Sequence, residues 1–355
     1  MCGKFFRING LAFVMAAVFL LGSGFRAEAG GKGEAQASSK PLIIYSNSVS
    51  DGRGEWLTEQ AKAAGFEIEY VDLGGGAVTN RLIAEKNNPL ADLVFGLSPM
   101  NYEQLKAENI LLKWEPTWAK EVDMSLGDPD GYYYPIVIQA IFLMYNADAL
   151  RGMEPKDYTE LATNPIYKDK YAIGSFTGGT PRAILMGIFT RYKDPKGELG
   201  ISAEGWNMIK QYFQNGHLEQ SGEDTLGNLI SGERPIMGMW SSGYLQRIKE
   251  RNLTNVSFMN PAIGVPFLAE QVALIRGSKN IEKATAFANW FGQADLQAKW
   301  SARFGTTPAH PEALKLASPE VQELMKKITP QNVDWALGSK MLDAWVEKIQ
   351  LEFVQ

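Results

Sequence analysis

The sequence predicts an α/β protein built from two lobes. Three observations lead there. The chain has 355 residues, more than one ordinary core needs and enough for two. Strand-like and helix-like segments alternate along it, the pattern of parallel sheets covered by helices. The alternation falls into two similar blocks, residues 41–136 and 138–266, with no sequence repeat between them.

Ahead of the first block lies a different kind of segment. Lys4 and Arg7 precede the apolar run LAFVMAAVFLLG (11–22), and small residues ending in AEA (27–29) follow. That order is a secretory signal peptide over residues 1–29, with cleavage expected after Ala29. The run is shorter than the roughly 20 residues a membrane span requires. The single cysteine, Cys2, lies inside the signal. The mature protein is therefore expected to carry no disulfide and no cysteine–metal site. Residues 30–40, GGKGEAQASSK, read as a flexible leader. An exported, periplasmic protein is expected.

Hydrophobic residues make up 45% and charged residues 21%, a balance that excludes disorder and coiled coil. The formal net charge is −5, and removing the basic signal leaves −7. That balance, with no basic tract, argues against nucleic acid as a partner.

The elements follow in order. PLIIYS (41–46) predicts a strand ending in small polar residues. EWLTEQAKAAG (55–65) predicts a helix with a glycine stop. FEIEYVDL (66–73) alternates like a strand, breaks at GGG (74–76), and resumes at helical spacing through Val78, Leu82 and Ile83. ADLVFGLS (91–98) predicts a buried strand with a helix after it. GYYYPIVIQAIFLMYN (131–146) predicts two strands, or one broken near Gln139. In the second block KYAIGSF leads through a glycine loop into a helix, and GERPIMGMWSSGYLQRIKER is a strand followed by a helix. After the strands of VSFMNPAIGVPFLAEQVALIRGS the chain is helical.

Ligands of open α/β sheets bind beyond the carboxyl ends of strands. Four such ends are rich in small polar residues: 46–48 and 74–76 in the first lobe, 177–180 and 240–242 in the second. They point to a cleft between lobes lined by hydroxyls and backbone N–H groups. In SFTGGTPRAIL (175–185), Thr180 is expected as the N-cap and Pro181 as the first helical residue. Helix starts offer unpaired N–H groups and the positive end of the dipole, and glycines allow close approach. Arg182, in the first turn, is disfavoured there unless an anion compensates it. The loop therefore suits a phosphate, phosphonate or carboxylate; a plain capped helix is the other reading of the same residues. The candidate ligand residues are Ser46, Ser48, Gly75, Gly76 and Ala77 in the first lobe. Thr177, Gly179, Thr180, Arg182, Trp240, Ser241 and Ser242 are those of the second.

Other chemistries find no support. No GK[ST] follows either glycine loop, so neither is a nucleotide P-loop. His217 and His310 stand alone, without metal-ligand spacing, and read as surface residues. No G-x-S-x-G is present for a hydrolase. Carboxylates such as Asp51, Glu55, Glu219, Glu223, Asp224 and Glu270 read as solvated faces. Tyr132, Tyr133 and Tyr134 read as packing, since at most two of three adjacent strand residues share a face. No catalytic residue, cofactor or metal is expected.

The segments LIIYSNS, GGGAVTNRLIAEKNNPLADLVFG, PFLAEQVALIRGSKNIEKATAFANWF and NVDWALGSKMLDAWVEKIQLEF carry a resemblance. Together they resemble the extracellular solute-binding proteins of bacterial ABC importers, in the branch of ferric-ion, thiamine, 2-aminoethylphosphonate, polyamine and hexose-phosphate binders. The resemblance implies a two-lobed periplasmic-binding-protein fold of type II kind, closing on its ligand about crossing strands. It places lobe one at 41–137, lobe two at 138–266, and the completion of lobe one with the C-terminal helices at 267–355. Crossings are implied near 137–139 and 264–267, which puts Glu270 by the hinge as a further ligand residue. It implies a monomer that hands a small ligand to a membrane permease, and no catalysis. Ferric binders of the branch use adjacent tyrosines at the strand end that here reads MWSSGYLQR, where only Tyr244 stands. The first block resembles the aminoethylphosphonate branch more closely, which implies a phosphonate or phosphorylated organic anion. Ferric ion, thiamine or a polyamine on the same fold is the alternative, and a secreted hydrolase a more remote one.

Overall fold

A computed structural model describes residues 40–354. The expected signal peptide and nearly all of the expected leader lie outside the described residues.

The first lobe opens as three strand–helix units. They are β1 (Leu42–Ser46), α1 (Arg53–Ala63), β2 (Ile68–Asp72), α2 (Gly75–Ala84), β3 (Leu93–Phe95) and α3 (Pro99–Ala107). The three strands are parallel, with β1 central. Alternate residues feed opposite faces of this sheet. Leu42, Ile44 and Phe95 pack on one side with Phe287 and Trp300, and Tyr45 and Val94 on the other with Val78, Tyr102 and Leu105.

The chain then runs into β4 (Tyr134–Asn146). The sequence suggested a break near Gln139, but this strand is continuous. What changes there is its partner. Residues through Ala140 pair with the later strand β8 (Val265–Ile275), and from Ile141 onward the partner is β7 (Ile236–Trp240). One strand therefore serves both lobes. In β8 the register shifts between Glu270 and Gln271, a bulge of the kind that re-aims side chains.

The second lobe holds β5 (Tyr171–Ile173), α4 (Gly179–Phe189), α5 (Ala203–Asn215), β6 (His217–Leu218), β7 and α6 (Ser241–Arg251). Across both lobes the strand order is β2-β1-β3-β8-β4-β7-β5-β6. Ile141 and Leu143 of β4 face one core with Ile184, Phe189 and Trp206, and Phe142 and Met144 face another with Met239 and Tyr244.

Four longer helices end the chain: α7 (Ile281–Phe291), α8 (Ala294–Phe304), α9 (Pro319–Lys327) and α10 (Trp335–Glu352). Helices α7 and α8 pack in the first lobe through Phe287, Phe291 and Trp300. The last two depart from the expectation that the C-terminal helices complete lobe one. Leu324 of α9 joins the core of Phe142 and Met239. Trp345 of α10 is fully buried, stacks on Phe189 with ring centroids 4.4 Å apart, and donates from Nε1 to the Leu199 carbonyl at 2.9 Å.

Helix α10 also touches the first lobe. A Cβ at Gly338 would fall within about 3 Å of both Met186 on α4 and Met100 on α3. Gly338→Ala is expected to cost about 1 kcal/mol, the low end for overpacking because both neighbours are flexible methionine tips. A urea melt checks this through its midpoint.

Tyr133 and Tyr134 are buried, as packing requires. Their hydroxyls donate to Glu103 and to the Trp114 carbonyl. His310 is a correction: it is 3% exposed, its Nδ1 accepts from the Glu312 amide, and its Nε2 lies 3.0 Å from Glu121. It caps a short helix that begins at Pro311, a role its spacing did not reveal.

Candidate functional site

The strand ends of both lobes open on one cavity of about 650 Å³, within the size range of small-molecule sites. From the first lobe it is lined by the β1–α1 loop (Asn47, Ser48, Asp51), the first residue of α1 (Arg53) and the start of α2 (Gly75, Gly76, Ala77). From the second it is lined by Thr177, Gly179, Thr180 and Arg182 of the α4 entry, and by Trp240 and Ser242 where β7 meets α6. Gln139 and Glu270 line it from the two crossing strands.

Helices α2 and α4 both begin here, and neither has a side-chain cap. The α4 entry differs from expectation. Its N-cap is Gly178, and Thr180 and Pro181 lie within the first turn. Proline is tolerated there because its missing N–H would be unpaired anyway. The Gly179 and Thr180 amides are thus left uncapped toward the cavity. Helices α1 and α6 also start nearby, but their first donors are taken. Arg53 N and Gly54 N reach loop carbonyls, and Ser242 N reaches Gln139 Oε1 at 3.2 Å.

Two candidate residues do not line the cavity. Ser46 is fully buried, and its hydroxyl accepts from Ser48 N at 2.9 Å. Ser241 is 1% exposed; it accepts from Ala140 N and donates to Gln139 Oε1 at 3.0 Å. Both shape the backbone that presents their neighbours. Ser46 is the last residue of β1, and Ser241 opens α6 directly after β7.

Glu270 is no solvated carboxylate. Its Oε2 accepts from Ser48 Oγ at 2.9 Å and its Oε1 from Gln139 Nε2 at 2.8 Å. Gln139 Nε2 also donates to Ser242 Oγ at 3.1 Å. A hydrogen-bonded chain, Ser48–Glu270–Gln139–Ser242, thus runs from the first lobe to the second through both crossing strands. Burial pushes the Glu270 pKa up, while the bonds from Gln139 and Ser48 and the charge of Arg53 partly offset that. Gly96 shapes the same corner. Its φ is +91°, and a Cβ there would strike Ser48, so only glycine fits.

The cleft's cation differs from the one expected. Arg182 donates from Nε to the Phe176 carbonyl at 2.6 Å and pairs with Asp343 of α10 at 3.0 Å. Arg53, absent from the expected set, is 6% exposed and begins α1. Its guanidinium lies over the Phe304 ring and meets Asp51 only at 3.6 Å. Asp51 is shared with Arg247 of α6 at 3.8 Å, a contact across the cleft. A buried cation at a helix N-terminus opposes the dipole, and the carboxylate nearest to it is that of Asp51. Thr306 is a second missed residue. It is 2% exposed, lines the cavity, and its hydroxyl has no partner among the described residues.

The family of bacterial extracellular solute-binding proteins matches residues 88–337. The chain is a bacterial extracellular solute-binding protein. The y4fP protein of Sinorhizobium fredii, named as an ABC transporter periplasmic-binding protein, is 36% identical over 320 residues, 90% of this chain and 88% of that one. A Salmonella typhimurium periplasmic protein named for 2-aminoethylphosphonate binding is 30% identical over 115 residues, 31% of this chain and 33% of its own. Among solved structures, the fructose-6-phosphate complex of AfuA from Actinobacillus pleuropneumoniae superposes with a TM-score of 0.72 at 16% identity, covering 89% of this chain and 99% of that one. The ferric binding protein of Campylobacter jejuni gives 0.74 at 17%, covering 87% and 98%. These structural matches establish the two-lobed fold.

As a solute-binding component of an ABC importer, this binding protein takes up a small ligand, works with a membrane permease, and is not an enzyme. Its relatives are periplasmic. No helix among the described residues is long and apolar enough to cross a membrane.

Proposed function

We propose that this binding protein captures a phosphonate or a phosphorylated organic anion between its lobes for import. One observation carries the reading. Two uncapped glycine-led helix starts, one from each lobe, open on the same cavity as the buried Arg53 guanidinium. N–H groups at helix starts and a guanidinium fork are the donors phosphoryl oxygens require. The Salmonella relative's name and the sugar phosphate held by AfuA support the same chemistry. Ligand that touches both lobes shifts the population toward the closed state.

Ferric ion is the contrasting cargo, since several similar structures are iron binders. Here no tyrosine lines the cavity. Among the described residues no group of three His, Cys, Asp or Glu side chains is placed to hold a metal.

A thermal-shift panel on refolded, ligand-stripped protein tests the proposal. It includes phosphonates, sugar phosphates, inorganic phosphate, thiamine, polyamines and ferric citrate. A true ligand at about 100 times its Kd adds roughly 2.7 kcal/mol. A shift confined to iron or to cations removes the anion reading and leaves the family assignment intact. Thr180→Val is expected to weaken phosphonate binding about 5- to 10-fold, as loss of one hydrogen bond does, at nearly unchanged stability. Unchanged affinity on titration would remove the Thr180 hydroxyl from the site.

A further inference from the structure

A second cavity of about 390 Å³ lies beside the first, in the second lobe. Thr177, Gly179, Thr180 and Trp240 line both. Its walls are largely apolar: Ile173, Phe176, Pro181, Ile184, Met237 and Trp240. One carboxylate, Glu219, also lines it. Glu219 Oε1 accepts from the Thr225 hydroxyl, and its Oε2 has no hydrogen-bond partner among the described residues.

Three chemistries therefore stand side by side. Uncapped amides at Gly179 and Thr180 suit a phosphoryl group. The apolar walls suit a compact carbon body, and the half-bonded carboxylate suits an ammonium group. A bare phosphate or a short alkyl phosphonate would leave the apolar walls facing water. We infer that the ligand is a phosphate or phosphonate monoester with a compact apolar or aromatic body and a terminal amine. Its phosphoryl group sits at the start of α4, its body in the second cavity, and its amine at Glu219. This rests on the reading of the main cleft as an anion site.

Calorimetric titration with inorganic phosphate, ethyl phosphate, phenyl phosphate and 4-(aminomethyl)phenyl phosphate tests it, on the native protein and on Glu219→Gln. Each buried methylene equivalent strengthens binding about fourfold. Phenyl phosphate is therefore expected to bind at least tenfold more tightly than ethyl phosphate. The aminomethyl group adds about another tenfold, and Glu219→Gln abolishes that last gain. Binding of inorganic phosphate reports that the variant is folded. Equal affinities for ethyl and phenyl phosphate overturn the inference and leave the anion site standing. So does an amine gain that survives in Glu219→Gln. Failure of all four compounds to bind overturns the anion site itself, and the inference with it.

Discussion

Arg53→Gln is expected to weaken binding of a phosphorylated anion about 10- to 150-fold, the loss that follows removal of a charged hydrogen-bond partner. Arg53 is buried and lines the cavity, and among the described residues its guanidinium meets one carboxylate, Asp51, loosely at 3.6 Å, besides the face of Phe304. Its place at the start of α1 sets it against the helix dipole. Folding alone therefore gains little from it, and the variant's melting temperature is expected to stay close to that of the native protein. Arg53→Lys keeps the charge but loses the planar fork, so its affinity should fall between the two. Titration calorimetry separates the three. Equal affinity in all three contradicts an anion bound at this corner.

Glu270→Gln is expected to act in the opposite direction, and its pH dependence is the diagnostic. Burial raises the Glu270 pKa in the folded protein. The folded state then holds this proton to higher pH than the unfolded chain does. Stability accordingly falls as pH rises from the unfolded value, about 4.3, through the raised folded value. Glutamine removes that loss. It can keep both bonds, accepting from Gln139 Nε2 and donating to Ser48 Oγ. The variant should melt about 2–4 °C higher than the native protein near pH 7.5, for a gain of about 1 kcal/mol. The difference should vanish below about pH 4, where the carboxyl is protonated in both states. Anion affinity should rise about tenfold at neutral pH, because a like charge has left the cavity. Melting curves that run parallel across this pH range would show that burial does not raise the Glu270 pKa. Weaker binding in the variant would favour a cationic ligand such as a polyamine, with Glu270 and Trp240 as its partners.

Much of this molecule is legible in its sequence, and the limits have physical reasons. The strand–loop–helix units of the first lobe follow from local periodicity. The small polar residues at strand ends lie in loops that line the cavity. What local pattern cannot carry is partnership over distance. Strand β4 shows no break because its partner changes without any change in its own backbone. Trp345 reads as an apolar helix residue, but nothing near it tells that Phe189 is its partner. The two arginines show the same limit. Both sit in the first turn of a helix, so the dipole opposes Arg53 and Arg182 alike. The sequence drew attention to Arg182 through its glycine loop, yet Asp343, far along the chain, pairs with it. Arg53 lies in SDGRGEW, two residues ahead of the expected start of its helix. Setting that start at Glu55 hid its first-turn position. Gln139 reads as a polar interruption in a strand; its partners Ser242 and Glu270 are more than 100 residues away.

The most direct test of the central claim is titration of ligand-stripped mature protein with 2-aminoethylphosphonate and with a hexose phosphate, followed by calorimetry at two salt concentrations. An anion seated on two helix starts and a guanidinium should give saturable one-to-one binding by at least one of them. That binding should be lost in large part in Arg53→Gln. No heat from either compound, with saturable binding of ferric ion, thiamine or a polyamine instead, would contradict the account. It would leave a two-lobed solute-binding protein whose cleft serves a different cargo.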